Sequence, residues 1–277
     1  MCLFLTFLWA YAGLALPWSL REHLNISLED KTIEGLSTSG LLLIFYINIS
    51  NSSSSPYYLS GYDYRFVVNH REYFRLSTSL EENINIEAKG DTLLSFPLKI
   101  TYVHLFQTVE RIEKEDKAQC YLTGVMTFSD GREEKGKLHF AFSGDFPIFK
   151  KPEIEFLSLK LKELTIGGAD LSFEMGFKNS NVFEFLVERI SYGFYLGEKR
   201  VGEGMISGDK NIESQGERVF SIPLLLNFFE VGKDVYNLLH QASALCRFSG
   251  EIEVRTAWGR IKIPFDRSDK ITISRTS

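Results

Sequence analysis

Cysteine is scarce in this chain, three among 277 residues, and neither the cysteines nor the five histidines fall at metal-site spacing. His23, His70, His104, His139 and His240 are spread along the chain and read as surface or loop residues. There is no phosphate-binding loop, no Gly-x-Ser-x-Gly and no HExxH. Gly167-Gly168 and Gly202-Glu203-Gly204 lie in turns of β pattern with no long helix behind them, which argues against a phosphate cradle. Carboxylates are plentiful but alternate with apolar residues, as on the solvated face of a sheet. Positive charge is not concentrated either: 31 Lys and Arg against 36 Asp and Glu leave a net charge of −5. Nucleic acid is thereby excluded as a partner, because phosphate binding needs a concentrated basic face. The expectation is a chain with no catalytic residues, no cofactor and no metal.

Nor is there an apolar run of the roughly 20 residues that a membrane helix needs. Leu3 to Leu16 is the longest, and its length suits the apolar core of a secretory signal. Ala10-Tyr11-Ala12 and Gly13-Leu14-Ala15 offer small-x-small cleavage sites, although no positively charged residue leads the run. A cleaved signal is favoured over an uncleaved anchor, and that over a buried leading segment. Cys2 is not read as lipidated, since no lipobox precedes it. The protein is therefore expected to be exported, to the periplasm or the cell exterior, with membrane association through this segment if it is retained.

What the chain has in abundance is alternation, and it has it twice. Leu171, Phe173, Met175 and Phe177 occur at period 2, run into Asn179-Ser180-Asn181, and are followed by Ile190, Tyr192 and Phe194. In the first half Leu43, Phe45, Ile47 and Ile49 run into Asn51-Ser52-Ser53 and then Tyr62, Tyr64 and Phe66. Leu43 and Leu171, Asn51 and Asn179, and Phe66 and Phe194 all stand 128 residues apart. The spacing falls to 126 from Ile86/Ile212 through Pro97/Pro223, Cys120/Cys246 and Gly124/Gly250, and to 123 from Leu138/Ile261 onward, where the second copy has a shorter hairpin. Such sustained register indicates a tandem duplication of whole domains, since solenoid repeats are about 20–50 residues long.

Each copy carries about seven short strands. Asn69-His70 and Asp130-Gly131 mark hairpin turns, and helical spacing appears once per copy, near Leu105, Phe106, Val109 and Ile112 and again from Asn227 to Leu239. The fold class expected is mainly β: two tandem immunoglobulin- or fibronectin type III-like β-sandwich domains, each with one short helix. The boundaries expected are 1–24 for the signal or anchor, 25–146 for the first sandwich, 147–152 for a short linker and 153–277 for the second sandwich. The linker is apolar, so Phe146, Ile148 and Phe149 are expected to pack and to restrict hinge motion. Cys120 and Cys246 occupy equivalent inward positions about 25 Å or more apart if the domains are separate, too far for a disulfide, and read as small buried hydrophobes.

Taken together, Asn179-Ser180-Asn181, Ile190-x-Tyr192-x-Phe194, Val201-Gly202-Glu203-Gly204, Ile212 with Gly216 and Pro223, and Phe248-Ser249-Gly250 resemble the late embryogenesis abundant type 2 domain, also called the water stress and hypersensitive response domain. Ser180 stands where that family has proline, and the first copy has Asn51-Ser52-Ser53 and no Val-Gly-x-Gly. The resemblance implies a sandwich similar to fibronectin type III and an association with desiccation and stress tolerance, without an established catalytic site. Asn51, Asn179, Asn181, Gly202 and Gly204 are read as structural, the asparagines capping backbone groups where the chain crosses between sheets. The function expected is non-enzymatic stress protection by binding or shielding an unidentified protein or lipid partner. The alternative is a carrier of a lipid or small hydrophobic ligand, with Phe228, Phe229, Val231 and Val235 lining a groove beside the short helix.

Overall fold

A computed structural model describes residues 18–275, of which 70% are strand and 10% helix. The apolar run at Leu3–Leu16 lies outside the described residues. A helix α1 (Trp18–His23) leads into β1 (Leu24–Glu34), β2 (Gly40–Asn51), β3 (Tyr57–Val68), β4 (Arg71–Ile86) and β5 (Asp91–Thr101). Then come α2 (Tyr102–Thr108), a 3-10 turn at Ile112–Lys114, β6 (Lys117–Ser129) and β7 (Glu134–Pro147). The second half holds β8 (Glu153–Leu164), β9 (Gly168–Lys178), β10 (Phe185–Leu196), β11 (Lys199–Ile212) and β12 (Glu217–Asn227). It continues with α3 (Phe228–Val231), α4 (Lys233–Leu239), β13 (Ser243–Thr256) and β14 (Gly259–Arg275).

Period-2 patterning accounts for the strands. In β9 the side chains of Leu171, Phe173, Met175 and Phe177 are fully buried, while Lys178 at the end is exposed. Phe173 and Phe248 meet at a tilt, 5.3 Å between centroids, and Phe248 stacks on Tyr192 and Phe265 at 5.1 Å each. This aromatic cluster is the centre of the second half's core. Asn69 and His70 both adopt positive φ, 43° and 67°, and form the tight turn of the β3–β4 hairpin, the backbone geometry that matches strand twist.

The sheets repeat their order. In the first half β1-β2-β5 form one sheet and β4-β3-β6-β7 another. The second half has β8-β9-β12 and β11-β10-β13-β14 in the same sequence of neighbours, fused into one sheet of seven. The fusion comes from the length of β14: Gly259 to Thr272 pair antiparallel with β13, and Ile273 to Arg275 pair parallel with Leu159 to Leu161 of β8. The result is a nearly closed, barrel-like sheet, where two separate sheets were expected.

The helical region of the second half also differs from expectation, being two short helices. Gly232, at φ 87°, separates α3 from α4, and a residue in that conformation cannot continue a right-handed helix.

By compactness the chain divides into two units. One takes in the described residues up to Lys31 with Phe45–Phe96 and Tyr121–Ser143, the other Thr32–Ile44, Pro97–Cys120 and the described residues from Gly144 onward. Strands β1, β2, β5, β6 and β7 each run from one unit into the other. In the second unit Phe146, Ile148 and Phe149 are buried, and Phe149 packs on Phe185 at 6.3 Å.

Candidate functional site

The asparagines at the ends of β2 and β9 hold their corners through matching hydrogen bonds. Asn51 donates through Nδ2 to the carbonyls of Ser55 and Glu87, both at 2.9 Å, and accepts at Oδ1 from the Ser53 N–H at 2.9 Å. Asn179 donates to the carbonyls of Phe183 and Glu213 at 2.7 and 3.0 Å and accepts from the Asn181 N–H at 2.9 Å. Each partner is the repeat equivalent of the other. Asn181, 1% exposed, reaches a further strand of chain: its Nδ2 donates to the Lys150 carbonyl and its Oδ1 accepts from the Lys150 N–H, both at 2.7 Å. These amides have their donors and acceptors engaged by backbone, which leaves little for a ligand. Ser180, in the place of the family's proline, accepts at its carbonyl from Gln215 Nε2 at 3.0 Å.

Of the two glycines read as structural, Gly204 faces Tyr192 across the β10–β11 pair, and a Cβ there would lie 2.7 Å from the Tyr192 hydroxyl. Gly202 meets no such limit, since its Cβ would sit 3.6 Å from Leu224.

The four residues expected to line a groove separate into two kinds. Phe228, Val231 and Val235 are 8%, 8% and 0% exposed, whereas Phe229 is 87% exposed. Asn227 caps the first turn, its side chain accepting the Phe229 N–H at 3.1 Å and donating to the Glu230 carboxylate at 3.0 Å, which fixes where α3 starts and so which side turns inward. Phe228 then packs edge-on against Tyr236 at 5.3 Å.

An apolar hollow of about 360 Å³ lies in the second unit, beside α2, with Tyr102, Phe106, Phe149, Ile263 and Lys151 in its wall. Tyr102 and Phe106 stack at 5.8 Å. The Tyr102 hydroxyl accepts from the Phe149 N–H at 3.2 Å, and burial pushes its pKa up to about 12. Helical spacing in the sequence signalled α2; the hollow needed the linker to fold back on it.

A second depression lies in the first unit, over the outer face of the β4-β3-β6-β7 sheet. It consists of hollows of about 760 and 280 Å³ whose walls share Asp63 and Val125. Hydroxyl side chains dominate the larger, and Arg65, Arg75 and His139 stand around the smaller. Asp63, Arg65, Arg75 and the serines and threonines were not singled out from the sequence, because small polar residues at outward strand positions have the pattern of any solvated face.

Cys120 and Cys246 are buried thiols, and burial, with the nearby Asp269 charge, pushes Cys246 up to about 12. Among the described residues no group of three or more His, Cys, Asp or Glu is placed to hold a metal ion. No helix among them is long and apolar enough to cross a membrane.

Among solved structures, a crystal structure of a protein from Archaeoglobus fulgidus is similar over 45% of this chain and 99% of its own, at 19% identity and a TM-score of 0.35. Red sea bream transglutaminase is similar over 89% of this chain at 8% identity and a TM-score of 0.29, and the chain spans 31% of its length. No curated protein matches the chain. Residues 175–269, which include Asn179, Asn181, the α3–α4 helices and most of the second aromatic core, match the model of the late embryogenesis abundant protein family.

Proposed function

We propose that the chain is a non-enzymatic protective protein made of two tandem late embryogenesis abundant type 2 domains, exported, and acting under desiccation stress by binding or shielding other molecules. The observation that carries this reading is the family match at residues 175–269. Extension to the first half rests on the repeat. The strand order recurs, and so do close approaches that only glycine permits. A Cβ on Gly40 or Gly168 would lie 2.0 or 2.3 Å from the carbonyl oxygen of Ile100 or Leu226. The three- and four-stranded sheets of the first half, and the same order of neighbours within the fused sheet of the second, support a seven-strand plan similar to immunoglobulin or fibronectin type III domains.

A folded protectant must keep its own structure as water is withdrawn. Buried aromatic clusters and alternating strands serve that end, in contrast to low-complexity, highly charged protectants that stay disordered. The test is to dry a labile dehydrogenase with this protein and, separately, with an unrelated β-sandwich of equal mass. Higher recovered activity with this protein is expected; equal recovery would sink the reading.

A second reading, a carrier of a small hydrophobic ligand, is favoured by the hollow beside α2. Its size lies in the range of about 300–1,000 Å³ of small-molecule sites, and its wall is aromatic with one cation, Lys151. Native mass spectrometry of protein purified from its source would reveal a retained apolar ligand as added mass.

A further inference from the structure

The outer face of β4-β3-β6-β7 holds a groove that neither the core nor the asparagine corners require. On the same face of the second half, longer side chains fill the equivalent places. There Arg189, Glu251, Glu253, Arg260 and Lys262 occupy the positions of Gly61, Val125, Thr127, Lys137 and His139. The long side chains pair across the strands: Glu253 with Arg189 at 4.0 Å and with Arg260 at 3.9 Å, Glu251 with Lys262 at 3.2 Å. In the first half glycine, valine and threonine take three of these places, and the sheet is left open beneath hollows of about 760 and 280 Å³.

The groove presents hydrogen-bonding groups with little net charge. Ser60, Ser77, Thr78, Ser79, Thr127 and Asn83 line the larger hollow. Ser60 and Thr78 donate to the carbonyls of Thr127 and Ser79 at 3.2 and 3.3 Å, so their oxygens keep lone pairs free to accept. Asp63 is exposed in the middle; among the described residues its carboxylate makes no hydrogen bond and no close ion pair, and its charge is felt by Arg75. Of the cations nearby, Arg75 is engaged with Glu72 at 3.0 Å and Arg65 through Nε with the Thr123 hydroxyl at 3.0 Å, while Lys137 lines the larger hollow opposite Glu134 in charge.

We propose that this groove binds a neutral saccharide chain. A carboxylate with no hydrogen-bond partner can accept from two adjacent ring hydroxyls, charge-assisted bonds stronger than neutral ones. Serine and threonine oxygens accept from the remaining hydroxyls, and the remaining N–H groups of Arg65 and Arg75 donate to ring and hydroxyl oxygens. Val125 and Leu80 meet the C–H faces of the rings. The charges of Asp63 and Glu134 are offset by Arg65, Arg75 and Lys137, which suits a neutral chain better than a uniformly anionic one, and a lipid tail would find few apolar walls. The volume is that of a small-ligand site, and the two hollows sharing Asp63 and Val125 suit a chain longer than one ring.

The test is calorimetric titration of the full chain with maltotetraose, cellotetraose and xylotetraose, each to roughly 10 mM. At least one is expected to bind with a Kd below about 1 mM, and Asp63→Asn should weaken it at least ~10-fold. Ser191→Ala, at the equivalent position of the second half, should leave it unchanged. Asp63→Asn is an exposed, isosteric change, and an unaltered Tm verifies folding; Ser77→Ala, expected to weaken binding about 3-fold or more, gives an independent check. The proposal is overturned if no neutral sugar gives heat, if both groove variants bind as well as the parent, or if a tetragalacturonate binds as tightly as the best neutral sugar.

Discussion

Asn181 grips both backbone groups of Lys150, its amide nitrogen on the carbonyl and its amide oxygen on the N–H, each at 2.7 Å. A single side chain 31 residues away in sequence thus fixes the direction in which the chain enters β8. Asn181→Ala removes both bonds and leaves buried backbone groups unmet, at a cost of about 2–4 kcal/mol for two partners. Asn181→Asp keeps the acceptor but sets a carboxylate against the Lys150 carbonyl, and should be the worse of the two at neutral pH. Urea denaturation of the two variants measures the order; Asn181→Asp at least as stable as the parent would contradict it.

Alkali should unfold the protein through two buried acids. Cys246 rises from 9.0 to about 12 and Tyr102 from 10.0 to about 12, each mainly by burial. For an acid held protonated by folding, the stabilisation is intact below the unfolded pKa and is lost as pH rises through the folded one. Stability is therefore expected to be flat up to about pH 9 and then to fall, by at most about 1.4 kcal/mol per pH unit for each group. Cys246→Ala, though less stable throughout, should show a shallower decline between about pH 9 and 10, where only the thiol contributes. Denaturation midpoints across that range give the slope.

Gly124 and Gly250 are equivalent, and each lies where a neighbouring strand passes close. A Cβ on Gly124 would sit 2.3 Å from the Asp63 carbonyl oxygen, and one on Gly250 1.9 Å from that of Ser191. Backbone cannot yield as a side chain can, so Gly250→Ala should cost about 3 kcal/mol or more. Gly176→Ala is the control, because its Cβ would make ordinary contacts at 3.6 Å, and its effect should be within about 0.5 kcal/mol. Melting of both variants decides whether close approach, and not loss of glycine as such, sets the cost.

Adjacent phenylalanines on α3 should behave as opposites. Phe228→Ala empties a packed site against Tyr236 and is expected to cost about 3–5 kcal/mol. Phe229→Ser, on a ring 87% exposed, should change stability by about 0.5 kcal/mol or less. Comparable losses from the two would mean that Phe229 is covered in solution.

How much of this was legible depended on the range of the physics involved. Alternation marked β9 and β13 because burial has period 2, and Asn69-His70 marked a turn because the needed backbone conformation is local. The break at Gly232 was hidden, since glycine inside a helical pattern looks the same whether its φ is negative or positive. The fusion of the second half's sheets was hidden as well. Ile271 and Ile273 show the alternation of a strand, but nothing in them names Leu159 as the neighbour. The groove around Asp63 escaped notice for a different reason: what makes it a groove is the absence of the long side chains that fill the equivalent face.

The parallel pairing of Ile273 with Leu159 also sets a timetable. A ribosome that has finished β8 must add more than a hundred residues before that strand can meet its last neighbour. Until then the β8 edge beside Leu159 is unsatisfied, an invitation to pairing with other nascent chains. Shortening the chain after Asp269 would make that exposure permanent, turning a passing hazard of synthesis into a standing tendency to aggregate.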